Sequence, residues 1–186
     1  MSELINGNNQ IIIGDEKFSL YLSEEMIQKR IAELGAQISK DYKGNFPIFI
    51  GVLNGSFLFM SDLLKNVTLA CEVDFFKLSS YGDAKISSGK VKLIKELNAD
   101  IRDRNVVIVE DIVDTGLSIK FIEELIMSHS PASMKVASLL LKPESLKHNV
   151  KIDYIGFEIP NKFVIGYGLD YAQKYRNLRS IYALSE

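Results

Sequence analysis

Glu110, Asp111 and Asp114 crowd into one short stretch, and Thr115-Gly116-Leu117-Ser118 follow without a gap. Hydroxyls and a glycine in that order suit a phosphate. At a helix start, free backbone N–H groups, the positive end of the helix dipole and the Thr115 and Ser118 hydroxyls converge on one point, and Gly116 lets the backbone come close. Three carboxylates beside such a cradle would repel an anion unless they bind ribose hydroxyls, a divalent cation or a proton of the substrate. A sugar phosphate accompanied by a metal satisfies all of these demands.

The element that must present these residues is a strand. Val106 to Val109 is mostly β-branched and flanked by charge, so it reads as a strand buried on both faces of a parallel sheet and ending at the acidic pair, while Ile119 to Ser128 resume helical spacing. The competing reading is an ordinary capped helix, since acidic residues before a helix start recur throughout α/β folds. A nucleotide triphosphatase would need Gly-x-x-x-x-Gly-Lys-Ser/Thr and a dinucleotide enzyme Gly-x-Gly-x-x-Gly; neither string occurs.

The complete string Val106 to Ile119, VVIVEDIVDTGLSI, lifts the segment above that background. It resembles the 5-phosphoribosyl-1-diphosphate (PRPP) binding motif of type I phosphoribosyltransferases. Further segments, in matching order, resemble the hypoxanthine and hypoxanthine-guanine phosphoribosyltransferases. Gly51 to Leu53 followed by Asn54-Gly55-Ser56 is similar to that family's pyrophosphate loop. Ser80-Tyr81, opening a polar stretch to Gly89, is similar to its mobile active-site loop, and Leu139 to Lys142 to its base-recognition strand. The tail is the most specific piece: Phe157-Glu158-Ile159-Pro160, then Lys162 to Tyr171, then Tyr175-Arg176.

The resemblance implies transfer of a phosphoribosyl group from PRPP to a 6-oxopurine, hypoxanthine and guanine, with release of pyrophosphate. It implies Mg²⁺ as the counterion, because pyrophosphate offers hard oxygens. Asp170 matches the carboxylate near that metal, and it could equally cap a short helix over Tyr171 to Tyr175. Glu110 and Asp111 match residues that address the ribose hydroxyls or the metal through water. Asp114 matches the residue placed near N7 of the purine, a plausible general base, and Asp114 to Ser118, including Gly116 and Leu117, would hold the 5′-phosphate. Lys142 matches the purine-contacting lysine. Its ammonium has only donors, so it favours a 6-oxo group and disfavours adenine. Phe163 matches the residue that stacks on the base and the Val164 backbone the group that meets its Watson–Crick edge; an unremarkable strand aromatic is the alternative for Phe163. Arg176 matches the pyrophosphate-side arginine, with a surface ion pair as the alternative. The loop departs from the family in carrying Asn54 and Ser56 where some relatives have Lys and Gly, so contact with pyrophosphate there would rest on the backbone. The same resemblance implies that the Leu53–Asn54 peptide is cis, or becomes cis with ligand bound, turning the Asn54 and Gly55 N–H groups towards pyrophosphate, with Gly55 supplying the freedom of the following turn.

Composition bounds the class. With 186 residues and 47% hydrophobic content the chain can bury one substantial core, so a single domain over 1–186 is expected. A net charge of −2 gives no broad basic face for nucleic acid; Lys90, Lys92 and Lys95 read as a solvated edge. The polar start, Met1 to Asn9, and the absence of a run near the roughly 20 apolar residues that span a bilayer point to a soluble cytoplasmic protein without a membrane contact. The lone Cys71 excludes an intramolecular disulfide and reads as a buried small apolar residue, and His129 and His148 as surface positions. A homo-oligomer, dimer or tetramer, is expected.

The expected architecture is α/β: a mostly parallel sheet flanked by helices, with a small hood formed by the amino- and carboxy-terminal segments. Ser23 should cap a helix with Ile27, Ile31, Leu34 and Ile38 at helical spacing. Strands are expected at Pro47 to Leu53, Cys71 to Leu78, Val91 to Leu97, Asn105 to Val109 and Val136 to Leu141, shorter ones near Tyr154 to Gly156 and Phe163 to Gly166, and a helix at Ser56 to Lys65. Leu53, Val109 and Leu141 would end their strands around one cleft. Two other functions compete: a PRPP-sensing regulator that binds nucleic acid, which would need a basic face, and a xanthine- or pyrimidine-specific transferase, which Lys142 and the Lys162 to Asp170 tail disfavour.

Overall fold

Two sheets of different character organise the chain in this computed structural model, which describes residues 10–80, 91–95 and 97–185. In chain order the elements are β1 (Gln10–Ile13), β2 (Glu16–Leu22), α1 (Glu24–Asp41), β3 (Ile48–Leu53), α2 (Phe57–Lys65), β4 (Glu72–Ser80) and β5 (Val91–Lys95). They continue with β6 (Asn105–Val113), α3 (Leu117–Met127), β7 (Ser133–Leu141), β8 (Tyr154–Glu158), β9 (Val164–Ile165) and β10 (Ile181–Leu184). Of the expected active-site loop, Tyr81 to Gly89 lies outside the described residues, as do Met1 to Asn9 and Lys90; only the backbone of Ser80 and Lys92 is described.

The larger sheet runs β5-β4-β3-β6-β7-β8. Its pairs are parallel except β4 with β5. The alternation of β6 accounts for its central place: Val107 and Val109 join the core on one face and Val106 and Ile108 the core on the other, all fully buried. Helices α1 and α2 cover the first face and α3 the second. The α1 stripe of Ile27, Ile31, Leu34 and Ile38 is fully buried, and the Ser23 hydroxyl accepts from the Met26 N–H at 3.3 Å, so start and apolar face both follow the expected pattern. Each such buried side chain stabilises by about 1.5–3 kcal/mol relative to exposure. Gly35 permits the α1–α2 crossing, since a Cβ there would meet Asn66 at the end of α2 at 2.6 Å.

The smaller, antiparallel sheet, β1-β2-β10-β9, is the expected hood. It joins the two ends of the chain, Ser19 pairing with Ala183 and Tyr182 with Ile165.

Three expectations need correction. Strand β6 does not stop at Val109. Its ladder with β3 ends there, opposite Gly51, but its ladder with β7 continues through Glu110–Ser138 and Ile112–Leu140 to Val113–Leu141. Backbone pairing with one neighbour is enough to carry a strand past charged side chains. The segment from Tyr171 to Tyr175 is not helical: Ala172 and Gln173 have φ of 49° and 67°, and Tyr171 pairs with Lys174 across them, a two-residue reversal. Cys71 is half-buried rather than buried, and His148 is half-buried while His129 is exposed.

Candidate active site

Because successive strand residues point to opposite faces, Glu110 and Asp111 open onto different places. Glu110, only 7% exposed, lines a depression of about 90 Å³ together with Asp114, Thr115, Gly116, Leu117 and Ser118. This is the junction of β6 and α3. Gly116 caps the helix with φ of 80°, a left-handed value that favours glycine, and a Cβ there would press on Val150 at 3.0 Å. The Thr115 hydroxyl accepts from the Leu117 N–H at 3.4 Å, and the Thr115 carbonyl accepts from Lys147 and His148, which hold the loop from outside. The first turn of α3 has no acidic residue, so its positive end meets no side-chain anion from its own helix.

Asp111 instead faces a second cavity of about 240 Å³, shared with Ile112, Asp114, Lys142, Phe163, Val164, Leu169 and Asp170. These residues come from β6 and the loop beyond it, the end of β7, and the hood. Asp114 borders both cavities. Its Oδ2 accepts from Lys142 Nζ at 2.9 Å, and the Lys142 N–H donates to the Val113 carbonyl at 2.9 Å, so the β7 end is tied to the β6 end by backbone and side chain. Lys142 is 6% exposed, an unusual depth for a lysine. Phe163 is 48% exposed on one side; on the other it meets Phe18 and Tyr171 with centroids 6.1 and 5.9 Å apart. A flat apolar ligand could lie on its free face.

The carboxylates are electrostatically distinct. Burial holds the Glu110 carboxyl well above its ordinary value, with the Asp111 charge adding to the effect, and Glu110 Oε2 has no hydrogen-bond partner. Burial pushes Asp111 up to about 6, against the Ile112 N–H, its own N–H and the Arg176 charge, while Asp170 raises it further. Asp170 is ion-paired to Arg176 at 2.7 Å and accepts from the Gln173 N–H at 2.8 Å; it closes the hood reversal and caps no helix. Among the described residues no three Asp, Glu, His or Cys side chains converge as a metal cage. Asp111 and Asp170, which line this one cavity, nevertheless offer hard oxygens that suit a cation such as Mg²⁺ that keeps its waters and takes most ligands from a phosphate. Glu110, the third residue expected near the metal, opens instead onto the depression at the start of α3, where burial disfavours its charge.

The Leu53–Asn54 peptide is cis, as the loop's resemblance led us to expect. Asn54 is exposed, whereas Ser56 turns inward and donates to the Val52 carbonyl at 2.7 Å. Gly55 is not at a left-handed φ; it must be glycine because a Cβ would fall on the Asp111 carboxylate. Gly168 has the same kind of constraint, its missing Cβ making room for the Gly55 carbonyl. Arg176 reaches the cluster through the Gly168 carbonyl, to which Nη1 donates at 2.8 Å. Neither Asn54 nor Arg176 lines the two cavities; both are linked to them through Gly55, Asp111 and Asp170. Ser80 ends β4, paired with Val91. Sequence reasoning missed Ile112 and Leu169 as walls of the second cavity. Apolar residues carry no chemical signature, and only their places beside Asp111 and between Gly168 and Asp170 could have marked them.

Comparison with known proteins identifies the family. The phosphoribosyl transferase domain family matches residues 19–172. A hypoxanthine-guanine phosphoribosyltransferase of Bacillus subtilis is 47% identical over 157 residues, 84% of this chain and 87% of that protein. Its counterpart in Mycobacterium tuberculosis is 45% identical over 174 residues, 90% of this chain and 86% of that protein. The crystal structure of a hypoxanthine phosphoribosyltransferase from Staphylococcus aureus superposes with a TM-score of 0.86 at 43% identity, covering 90% of this chain and 91% of the other.

Proposed function

This chain belongs to the phosphoribosyltransferase family, and we propose that it is a purine salvage enzyme that moves the 5-phosphoribosyl group of PRPP onto hypoxanthine and guanine. The products are inosine and guanosine monophosphate with pyrophosphate. The observation that carries this reading is the second cavity. Its volume of about 240 Å³ brings a buried ammonium, an aromatic face and three aspartates together beside the phosphate-sized depression.

In this reading the 5′-phosphate sits against Thr115 to Ser118 at the start of α3, where main-chain N–H groups and the helix dipole attract it. The purine lies on the free face of Phe163, its 6-oxo group accepting from Lys142 and its edge meeting the Val164 backbone. Asp114, bordering both cavities, takes the proton from N7 as N9 of the purine bonds to C1 and the bond from C1 to pyrophosphate breaks. An oxocarbenium-like ribose would react with water, so the apolar walls Ile112 and Leu169 have a use in excluding it. Asn54, Gly55 and Arg176 serve the pyrophosphate side. Mg²⁺ would be held by Asp170, with Asp111 and Glu110 on the ribose side, and when bound supplies positive charge to the diphosphate.

The test is direct. Purified protein supplied with PRPP and Mg²⁺ should make inosine monophosphate from hypoxanthine and guanosine monophosphate from guanine, xanthine and adenine being run alongside. Product from adenine at a comparable rate, or no product from either 6-oxopurine, would overturn the reading. No described helix is long and apolar enough to cross a membrane. A cytoplasmic location and a dimeric or tetrameric assembly without nucleic acid belong to the same proposal, the assembly being checked by light scattering.

A further inference from the structure

The segment that carries Asp170 is built from backbone that few residues tolerate. Gly166, Tyr167 and Gly168 have successive φ values of 98°, 49° and 99°, and Gly166 pairs with Leu169 across the two between them. Glycines accept such values freely, but an aromatic side chain there is an outlier that persists only where its surroundings impose it. The Tyr167 side chain shows what does so. It is 3% exposed, and its hydroxyl donates to Asp62 Oδ2 on α2 at 2.6 Å. The same oxygen accepts from Gln28 Nε2 of α1 at 2.7 Å, and Gln28 also lies 3.4 Å from the Tyr167 hydroxyl. One carboxylate thus ties the hood turn to both helices on that face.

The consequence lies downstream of the turn. Gly168 rests on the Gly55 carbonyl, exchanges main-chain and guanidinium hydrogen bonds with Arg176, and leads into Leu169 and Asp170. Upstream, the backbones of Phe163 and Val164 are held independently of it: the Phe163 carbonyl accepts from the Leu184 N–H at 2.9 Å, and Val164 pairs with Ala183. We propose that Tyr167, latched by Asp62 and Gln28, is a positioning residue that sets Gly168, Asp170 and Arg176 against the Gly55 loop and so governs the pyrophosphate side of the site, while Lys142 and the Phe163 and Val164 backbones on the base side are held from other elements. The kinetic half of this proposal rests on the phosphoribosyl transfer argued above; the structural half does not.

The decisive variant is Tyr167→Phe, which keeps the ring and removes the hydroxyl. A lost hydrogen bond to a charged acceptor can reach more than tenfold in an equilibrium. The KM for PRPP should therefore rise about 10-fold, with the KM for hypoxanthine changed by less than about twofold. Asp62→Asn, which retains an oxygen for Tyr167 to donate to, should recover part of the PRPP effect that Asp62→Ala shows in full. Amide hydrogen exchange at Gly168 to Asp170 should quicken in Tyr167→Phe whatever reaction the protein catalyses. Unchanged exchange there would overturn the latch itself. Faster exchange with equal losses for both substrates would overturn its selective role. Absence of inosine monophosphate from the unaltered protein would instead sink the reaction assigned above, with the exchange result still deciding the latch.

Discussion

Replacing Asp114 by Asn separates chemistry from structure at the carboxylate that borders both cavities. The side chain keeps its shape and one oxygen towards Lys142, but it can no longer take a proton. Two magnitudes follow. General acid–base groups contribute about 10² to 10⁴ in rate, equivalent to roughly 2.7–5.4 kcal/mol of barrier, so kcat should fall by that factor. The structural cost is smaller. Breaking a buried ion pair costs about 3–5 kcal/mol and an exposed one about 0–1, and here the Lys142 side chain is 8% exposed while that of Asp114 is 47% exposed. Asp114→Ala should therefore cost about 1–2 kcal/mol, and Asp114→Asn, which still offers an acceptor, less than about 1 kcal/mol. Steady-state formation of inosine monophosphate at saturating substrates gives the first quantity and thermal unfolding the second. The two variants should share the loss in kcat and differ in Tm. A kcat for Asp114→Asn within about threefold of the unaltered protein would mean that the proton leaves by another route, since a general base is worth at least about 10².

Adenine should be a poor substrate, with kcat/KM at least about 100-fold below that of hypoxanthine, because its amino group would face the Lys142 donors; competing-substrate assays decide this, and equal turnover would remove Lys142 from base selection. Gly55→Ala drives a methyl group into the Asp111 carboxylate, so the KM for PRPP should rise with a stability loss of about 1–3 kcal/mol, whereas unaltered kinetics would show that the loop simply moves aside. Excess chelator should abolish product formation and added Mg²⁺ restore it, while full activity in chelator would remove the metal from the reading. Asp74 accepts from the Phe75, Asn98 and Ala99 N–H groups at 2.7, 2.6 and 3.0 Å. Burial alone would raise its carboxyl, but those donors and the Lys95 charge outweigh burial and hold it below its ordinary value. A depressed folded value means that its contribution is complete above the unfolded pKa of about 3.9 and is lost as pH falls through the folded one. Asp74→Asn should thus destabilise by about 1–3 kcal/mol at neutral pH, with the gap in Tm closing below about pH 4; a gap independent of pH would contradict the assignment.

Periodicity made the framework legible. The β-branched run of β6 and the four-position stripe of α1 announce burial on two faces and on one face respectively, and the structure buries both sets. Pairing between distant segments was not legible from local pattern: nothing in the residues themselves tells Ser19 to meet Ala183, and only the likeness to a family suggested that the chain ends would meet. Local misreadings have physical causes. Charge at Glu110 reads locally as a stop, yet a ladder to β7 depends on main-chain groups and runs on to Val113. Tyr171 to Tyr175 contains residues that accept a helix, but Ala172 and Gln173 adopt left-handed values in a tight reversal whose ends pair. Gly55 was assigned to conformational freedom when the constraint is space, which only the position of Asp111 reveals.

The extended length of β6 changes how the acidic cluster works. Had the strand ended at Val109, Glu110, Asp111 and Asp114 would sit on one loop and could share a single ligand group. Held in register with Ser138 and Leu140, Glu110 and Asp111 diverge by strand alternation, one towards the depression at the start of α3 and the other towards the larger cavity and the Gly55 loop. The strand then stops at Val113, and Asp114, freed from the ladder, turns the corner between the two cavities where Lys142 meets it. In the reaction proposed above, the proton acceptor for the purine has to lie next to the base and within one sugar of the 5′-phosphate. Asp114, the first residue past the strand, is the titratable residue that borders both cavities, so moving the end of β6 by one residue would present an apolar side chain or the Thr115 hydroxyl there instead.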